Sequence, residues 1–297
     1  MVTVEIHSGL GNQMFQYAAG ISLARFLKSP CKLEISWFEN SSSAQTPNSF
    51  QLDKFPKIKL DFANKSEVDA LIRPSSKGIV NRIKHKLNRS LPIHKQWAFV
   101  EPHFHYYKYF FDAKSPVFLS GYWQTEKYFF HIADEIRETF SIEIQELNNN
   151  YSILKEILNV QAVSLHIRRG DMVKNPEVAE KHGSCNLTYY KKAMSLIEKE
   201  VQNPVYFVFS DDIDWCKENL KSNYKIIYVT GNEGLEAYMD IQLMRQCSHH
   251  IIANSSFSWW GAWLNSSPNK IVIAPSKWFN HDDLNTDDLI PSSWIRI

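Results

Sequence analysis

Residues 162–171 read AVSLHIRRGD, a mostly apolar run that is followed at once by two arginines, a glycine and an acid. A short apolar run that ends in such a turn signal predicts a buried strand. Four further runs of this kind follow, at residues 205–209, 226–229, 250–253 and 271–274. Helical periodicity fills the intervals, over residues 188–201, 213–220, 235–247 and 257–264. Strands that alternate with helices predict an α/β fold with a doubly wound parallel sheet, whose ligands bind beyond the carboxyl ends of the strands.

The N-terminal half begins with the same alternation. Residues 2–6 predict a strand, Gly9 and Gly11 interrupt it, and residues 12–28 carry apolar side chains at helical spacing. Further elements are predicted at residues 31–35, 117–119 and 131–140. Between these elements, from about residue 39 to residue 116, prolines and serines interrupt every regular pattern.

The contrast between the two halves predicts two domains. The polar stretch 146–152, which contains three consecutive asparagines, is the predicted linker. The predicted domains are residues 1–150 and 151–297, and the final segment is a candidate for crossing back to the first domain.

The composition is that of a folded protein, with 44% hydrophobic and 22% charged residues in a chain of 297. A formal net charge of +1 argues against a surface built to bind nucleic acid. The four cysteines are scattered without a C-x-x-C pair, so no zinc or redox site is predicted. The chain shows neither a secretory signal pattern nor an apolar run long enough to span a bilayer. We therefore expect a cytoplasmic protein of bacterial origin.

One local excess of charge lies between Lys77 and Lys95, where six basic residues occur without an acid. A solvated helix or loop face explains such a run. The functional alternative is a patch for an anionic membrane or a phosphorylated acceptor, which would place the protein peripherally at the inner face of the membrane.

The exit of the first C-terminal strand contains His166, Arg168 and Arg169. Two guanidiniums at the end of a buried strand are costly unless an anion meets them, and their forked geometry suits phosphate oxygens. Because neighbouring strand residues point to opposite faces, we expect Arg168 on the side of His166 and Arg169 in structural pairs. A surface turn in which Asp171 pairs with an arginine is the alternative. The pattern favours a site for a diphosphate leaving group.

The second exit reads Ser210, Asp211 and Asp212 and leads into a predicted helix. These acids could cap that helix, accept hydrogen bonds from a ribose or a base, or chelate Mg²⁺. The magnesium alternative is the weaker one, because the arginines could already neutralise the phosphates.

The third exit, residues 254–258, supplies serine hydroxyls and backbone N–H groups at the start of a helix, which is a favourable place for an anion. Trp259, Trp260 and Trp263 follow, and core packing explains them better than sugar binding. Asp240 falls inside a predicted helix among apolar neighbours. It either faces solvent or accepts from a donor such as a guanine edge.

The first loop contains GLGNQ, which lacks the third glycine of a dinucleotide fingerprint because Met14 follows. Binding of NAD is therefore not favoured. The glycines would still allow a ligand to approach the backbone, and Asn12 and Gln13 could hydrogen-bond it.

Five stretches, GLGNQMFQYA, GYWQTEKYF, HIRRGD, SDDIDWC and NSSFSWWGAWL, resemble glycosyltransferase family 11, the α-1,2-fucosyltransferases, in sequence and order. The resemblance implies a GT-B-like fold of two Rossmann-type domains that face a central cleft, with the acceptor on the N-terminal side and GDP-fucose on the C-terminal side. It implies an inverting transfer of L-fucose from GDP-β-L-fucose to the 2-hydroxyl of a terminal galactose, without a metal or another cofactor.

The resemblance also implies donor-binding residues, which are Asn12, His166, Arg168, Asp240, Ser255, Ser256 and Phe257. Arg168 would hold the β-phosphate, Asp240 would pair with guanine, and the two serines would supply hydroxyls to the phosphates. Some relatives carry a proposed base just beyond the Arg-Arg-x-Asp motif. In this chain the candidates are Asp171 and Glu177, the latter displaced beyond Pro176, and a mechanism without a dedicated base is the third possibility.

Two other functions stay open from the sequence. A module that binds a GDP-sugar without transfer would use the same arginine and serines, and a fucosyltransferase of different linkage would share the donor site. The aromatic residues Tyr122 and Trp123 favour an enzyme that presents an acceptor. The sequence does not say whether that galactoside belongs to an oligosaccharide or a lipid-linked glycan.

Overall fold

A computed structural model describes residues 1–43, 48–72, 79–143, 150–170, 180, 183–280 and 284–297 of the chain. The chain divides into two compact units. The N-terminal unit comprises Met1–Thr139 and Asn285–Leu289, and the C-terminal unit comprises Phe140–Leu284 and Ile290–Ile297.

The division lies before Phe140, whereas the sequence pattern placed it in the later polar stretch. Phe140 belongs to the C-terminal unit because its ring packs edge-on against Trp260 and its carbonyl oxygen accepts a hydrogen bond from Gln242. The short segment Asn285–Leu289 belongs to the N-terminal unit for a similar reason. Asp288 accepts a hydrogen bond from the backbone N–H of Tyr106 and forms an ion pair with Lys127.

The N-terminal unit contains a parallel sheet of four strands in the order β2-β1-β4-β3. The strands are β1 (Val2–Glu5), β2 (Cys31–Glu34), β3 (Ala98–Val100) and β4 (Val117–Ser120). Its helices are α1 (Leu10–Phe26), α2 (Lys65–Ile72), α3 (Ile79–Ser90) and α4 (Ala133–Thr139). Short 3₁₀ helices lie at Ser36–Ser43, Leu52–Lys54, Ile93–Lys95, Phe110–Asp112, Glu126–Tyr128 and Phe130–Ile132.

Helix α1 packs closely on β1. A Cβ atom on Gly20 would lie 2.7 Å from a methyl carbon of Val4, so only glycine permits this approach. Met14, Phe15 and Leu23 of the same helix are fully buried. The predicted strand and helix at the start of the chain therefore form the centre of the N-terminal core.

The C-terminal unit contains a parallel sheet of six strands in the order β10-β9-β8-β5-β6-β7. The strands are β5 (Gln161–Ile167), β6 (Pro204–Ser210), β7 (Ile226–Tyr228), β8 (His249–Ile251), β9 (Val272–Ala274) and β10 (Ile295–Arg296). Its α-helices are α5 (Tyr151–Leu158), α6 (Leu187–Glu200), α7 (Ile213–Asn219), α8 (Tyr238–Gln246) and α9 (Ser256–Leu264), with a 3₁₀ turn at Gly234–Glu236. The predicted α/β class with a doubly wound parallel sheet is confirmed.

The tryptophans after the third strand exit lie in the core, as the sequence favoured. Trp259 and Trp260 are fully buried, and their rings contact Trp294 and Phe140 respectively. Helix α9 approaches α8 closely at Gly261, where a Cβ atom would lie 2.8 Å from the Cβ atom of Met244. These residues fix the helix that follows β8 against the rest of the unit.

Candidate functional site

The strand order of the C-terminal sheet reverses between β5 and β8. From β5 the chain builds outward through β6 and β7, and it then returns to place β8 on the other side of β5. At such a switch point the connections after the two central strands leave in opposite directions and open a crevice at the carboxyl edge. The predicted site residues follow these two strands, since Arg168 comes directly after β5 and Ser255 comes shortly after β8.

Arg168 and Ser255 meet at this edge. The guanidinium nitrogen Nη1 of Arg168 lies 3.5 Å from the hydroxyl oxygen of Ser255, which accepts the hydrogen bond. Ser255 is the N-cap residue of α9, and its side chain makes no capping hydrogen bond. The sequence would allow this serine to serve the helix alone, but its hydroxyl instead lies beside a cation. A guanidinium, a hydroxyl and the start of a helix at one place suit an anion.

His166 lies in β5, two residues before Arg168, and is almost fully buried. Burial, reinforced by the charge of Arg168, lowers the pKa of His166 to about 3, so the imidazole is neutral. Its ring contacts the ring of Phe257 with centroids 5.6 Å apart. The ring nitrogen Nδ1 has no hydrogen-bond partner within the described residues. Because buried polar atoms are usually paired, this nitrogen marks a place for a ligand or a water molecule.

Arg169 has a structural role. Its guanidinium stacks on the ring of Trp215 at 4.0 Å and its Nε donates to Asp212 at 3.1 Å. Its backbone N–H donates to Asp211 at 2.8 Å. The strand alternation predicted this difference between neighbours, with one arginine in structural pairs and Arg168 on the side of His166.

The acids of the second exit are occupied by the protein itself. Asp212 caps α7, because its Oδ1 accepts the backbone N–H of Trp215. Asp211 accepts a hydrogen bond from the backbone N–H of Arg169. The carboxylate of Asp211 lies so close to Gly170 that a Cβ atom on this glycine would be 2.6 Å from it. Over the part of the chain that the structure describes, no three acidic, histidine or cysteine side chains form a group that could hold a metal ion. The capping interpretation is the one that the contacts support.

Asp240 lies in the first turn of α8, and not in the middle of a longer helix as the sequence pattern suggested. The difference arises because a separate 3₁₀ turn, Gly234–Glu236, which begins at a glycine with positive φ, occupies the N-terminal part of the predicted helix. Because α8 connects the parallel strands β7 and β8, it runs antiparallel to them. Its first turn therefore lies at the same carboxyl edge as Arg168.

The side chain of Asp240 is partly buried, and its carboxylate accepts a hydrogen bond from Asn232 at 2.7 Å. Asn232 is in turn paired with Asn150 through two amide hydrogen bonds. Burial raises the pKa of Asp240 to about 7, against the lowering effect of the bond from Asn232. The partial burial of Asp240 and its hydrogen bond from Asn232 favour an acid that accepts from a donor over one that faces solvent.

The remaining predicted residues of the C-terminal half are only partly described. Ser256 and Phe257 begin α9, directly after the serine that contacts Arg168. The candidate bases Asp171 and Glu177 lie outside the described residues. Asn254 is a structural residue, because its amide group donates to the carbonyl oxygens of Gly183 and Trp278.

Asn12 lies in the N-terminal unit, in the first turn of α1 rather than in a loop. Its side-chain oxygen accepts a hydrogen bond from Gln124 at 2.6 Å. Gln13 is fully buried, and its amide donates to the carbonyl oxygens of Ser8 and Ser49. Gln13 therefore has a structural role and is not available to a ligand. This corrects the expectation from the sequence that Gln13 could hydrogen-bond a ligand.

The sequence pattern missed Glu101, an acid that directly follows β3 in the N-terminal unit. Its carboxylate accepts the backbone N–H groups of Tyr122 and Trp123 at 2.7 and 3.0 Å. Burial raises the pKa of Glu101 to about 7 in spite of these two bonds, which lower it. An acid at the exit of a strand was the available signal, but β3 lies in the stretch where no strand was predicted.

The fold and this edge define an α/β protein with a site suited to a phosphorylated ligand. The structure of Arabidopsis thaliana FUT1 in complex with GDP shares the fold, with a TM-score of 0.51, 12% sequence identity and coverage of 92% of this chain and 70% of that one. The family model of glycosyl transferase family 11 matches residues 82–297. The chain belongs to glycosyl transferase family 11 and is a glycosyltransferase.

Full-length relatives support the same family. An alpha-1,2-colitosyltransferase of Escherichia coli is 35% identical, with alignment over 100% of this chain and 99% of the relative. The O-antigen biosynthesis glycosyltransferase WbnK, also of Escherichia coli, is 35% identical over 98% of this chain and 99% of its own length. A galactoside alpha-(1,2)-fucosyltransferase 1 of Saimiri boliviensis boliviensis is 28% identical over 49% of this chain and 42% of the relative.

Proposed function

We propose that the protein is an inverting α-1,2-fucosyltransferase that transfers L-fucose from GDP-β-L-fucose to the 2-hydroxyl of a terminal galactose in a glycan. The observation that carries the proposal is the contact of Arg168 with Ser255 at the switch point of the C-terminal sheet. Family membership supports the reaction class, and relatives named as α-1,2 transferases support the linkage.

The donor would bind with its diphosphate at this edge. Arg168 offers a forked pair of N–H donors, and Ser255, Ser256 and the first N–H groups of α9 offer further donors. His166 is neutral and adds no charge, so Arg168 is the cation that this group of residues offers to the leaving phosphate. The partly buried carboxylate of Asp240 would accept from the guanine edge, in place of the hydrogen bond that it now accepts from Asn232.

The chemistry would be a single displacement. The galactose oxygen forms a bond to the anomeric carbon of fucose while the bond from that carbon to the phosphate oxygen of GDP breaks. The leaving GDP takes the electron pair, and Arg168 with the serine hydroxyls stabilises the negative charge that develops there. The proton of the galactose hydroxyl passes to a base, for which Asp171 and Glu177 are the candidates, or to the solvent.

We further propose that transfer needs no metal ion. Asp211 and Asp212, the acid pair closest in sequence to the site, are engaged by Arg169 and by the start of α7. Arg168 and the hydroxyls would neutralise the diphosphate in place of a cation. Full activity after exhaustive chelation is expected, and activity that is lost on chelation and restored by Mg²⁺ or Mn²⁺ would contradict this part of the proposal.

A second donor is favoured by one specific observation. One of the two Escherichia coli relatives that match over the full length is named for colitose. Colitose lacks one hydroxyl group of fucose. Both donors would place the same GDP group against Arg168 and Asp240. The site distinguishes the two donors by whether it contains a hydrogen-bond partner for that hydroxyl. If it does, colitose leaves this buried partner unpaired, which disfavours colitose.

The test is transfer itself, measured as GDP released from GDP-fucose or GDP-colitose with and without lactose. Acceptor-dependent release from GDP-fucose, with a product that nuclear magnetic resonance identifies as α-1,2-linked, is the expected result. Greater turnover of GDP-colitose would assign the second donor. Binding of both donors without release, tested over a panel of galactosides that includes lipid-linked ones, would reduce the protein to a GDP-sugar-binding module.

We also propose, as the sequence patterns predict, that the reaction takes place in the cytoplasm. Of the helices that the structure describes, none combines the length and the apolar character needed to cross a bilayer.

A further inference from the structure

Helix α3 of the N-terminal unit has its polar side toward the protein. Three of its residues, Asn81, His85 and Asn88, are half-buried, and the other residues of the helix are exposed. The Asn88 side chain accepts the backbone N–H of Trp97 at 3.0 Å, and the His85 ring lies edge-on to the Trp97 ring at 5.7 Å. An amphipathic helix of a globular protein normally buries its apolar side, so α3 is inverted.

The apolar residues of α3 lie on the side that faces away from Trp97. Ile79, Val80, Ile83 and Leu87 are 75%, 66%, 54% and 61% exposed, and their spacing places them within about 100° of one another around the helix. Leu91, directly after the helix, is 43% exposed. Single exposed apolar residues are ordinary, but a continuous stripe of them on one helix marks a surface that contacts something else.

Cations border this stripe on both sides. Lys84 lies beside one edge of it, and Lys86 and Arg82 lie beside the other, since residues advance by about 100° each around a helix. Arg89 adds a fourth positive charge, and the helix contains no acid. An apolar stripe bordered by lysine and arginine is the pattern of helices that lie flat in the interface of an anionic bilayer, where the stripe enters the acyl boundary and the cations meet the headgroup phosphates.

We propose that α3 docks the protein on an anionic phospholipid surface through Ile79, Val80, Ile83 and Leu87, with Arg82, Lys84, Lys86 and Arg89 on the headgroups. The charge pattern favours this occupant over a second copy of the chain. Two copies that joined their apolar stripes would bring rows of like charge together, which opposes pairing. This inference goes beyond the proposed function and depends on neither the donor nor the acceptor.

Vesicle sedimentation tests the proposal with the full chain. The probes are vesicles of phosphatidylcholine alone and of phosphatidylcholine mixed with phosphatidylglycerol. We expect binding to the anionic vesicles, weak binding to the neutral ones, and a decline with salt, because the charge component is screened. Ile83→Glu with Leu87→Glu should lower the partition coefficient at least tenfold. Lys84→Glu with Lys86→Glu should lower it by a similar factor, since each cation near such a surface contributes about fivefold.

Matched substitutions on the C-terminal unit are the controls. Leu158→Glu changes an exposed leucine of α5, and Lys191→Glu with Lys192→Glu changes two exposed lysines of α6. These variants should partition like the wild type. All variants should keep wild-type circular dichroism and GDP binding, so that a loss of partition is not a loss of folding.

Two results would overturn the proposal. One is a wild type that does not bind anionic vesicles, or α3 variants that bind them as well as the controls do. The other is a wild-type dimer in analytical ultracentrifugation that Ile83→Glu with Leu87→Glu converts to a monomer without any vesicle binding, which would assign the stripe to a second copy. A failure of fucosyl transfer would leave the partition result unchanged, so the two proposals fail separately.

Discussion

The carboxyl edges of the two parallel sheets differ in the charges that follow their strands. In the C-terminal unit the edge contains Arg168, a serine hydroxyl and the start of α9. In the N-terminal unit the corresponding edge contains His7 after β1 and Glu101 after β3, with Tyr122 after β4. Both sheets are parallel and bring the ends of neighbouring strands together at one edge, so the residues that follow the strands decide what each edge can bind.

The N-terminal edge contains a partly buried carboxyl group, that of Glu101. Glu101 accepts the backbone N–H groups that follow β4, and the His7 ring packs edge-on against the ring of Tyr122 with centroids 5.0 Å apart. Burial lowers the pKa of His7, so this edge offers a neutral imidazole and aromatic surface. Such a surface suits sugar rings and hydroxyl groups better than phosphate. We therefore infer that the positive edge binds the donor and that the N-terminal unit serves the acceptor.

The largest effect is expected at Arg168. Arg168→Ala removes the donor that the leaving phosphate requires, and loss of one such group typically lowers kcat by about a hundredfold to a thousandfold. Arg168→Lys should also be strongly impaired, because a point charge cannot replace the forked pair of donors. Steady-state kinetics of GDP release would measure both variants.

The chain offers a matched control at the next residue. Arg169→Ala removes the stack on Trp215 and the ion pair with Asp212. It should lower the free energy of unfolding by about 1 to 2 kcal/mol in urea denaturation while kcat stays within a few fold of wild type. If Arg169→Ala loses activity and Arg168→Ala keeps it, the assignment of the two arginines is reversed and the comparison of the two edges fails.

Patterns among residues that are close together in sequence were enough to predict the carboxyl edge of the C-terminal sheet, where Arg168 lies. Apolar runs and helical spacing predict the C-terminal strands and helices, and strand alternation places Arg168 and Arg169 on opposite faces. These features depend on residues close together in sequence. The strands β3 and β10 gave no such signal, because prolines and serines interrupt the regular patterns in the stretch that contains β3, and because β10 has only two residues.

The features that the sequence did not reveal depend on distant contacts. Glu101 owes its raised pKa to burial under the loop after β4, which no local pattern encodes. The run of basic residues before Lys95 was visible, but the inverted orientation of its helix depends on Trp97. Asp240 was identified as either a solvent-facing or a donor-binding acid, and only the return of the chain from β7 to β8 brings it to the edge of Arg168.

A smaller effect is expected at Asp240. Asp240→Asn should weaken GDP binding by roughly tenfold to a hundredfold, because hydrogen bonds to a charged group contribute about 1.5 to 3 kcal/mol. The pKa of Asp240 is about 7 in the free protein, and guanine would bind the ionised form. Wild-type affinity should therefore fall as the pH drops below about 7, since binding must then release a proton.

Calorimetry of GDP binding between pH 6 and pH 8 checks both points. The phosphate groups of GDP also titrate in this range, and Asp240→Asn serves as the control for them, since it keeps the phosphate contribution and lacks the carboxyl one. Equal affinity and an equal pH profile in the two proteins would remove Asp240 from the donor site.

The last effect is expected at Glu101 and concerns stability rather than catalysis or binding. The pKa of its carboxyl group is about 7 in the folded chain, above its ordinary value of 4.5, because burial disfavours the charge. The stabilising contribution of the protonated group is therefore complete below about pH 4.5, and it is lost as the pH rises through 7. Glu101→Gln carries no ionisable group, so the free energy of unfolding of the wild type should fall relative to this variant by about 2 to 3 kcal/mol between pH 4.5 and pH 7.5.

Urea denaturation at several pH values measures the difference, with Glu200→Gln on the exposed end of α6 as the control. A difference between wild type and Glu101→Gln that does not change with pH would mean that the hydrogen bonds from Tyr122 and Trp123 offset the effect of burial on the pKa of Glu101. The N-terminal edge would then hold a permanent negative charge, and the contrast with the positive edge around Arg168 would be greater than the structure implies.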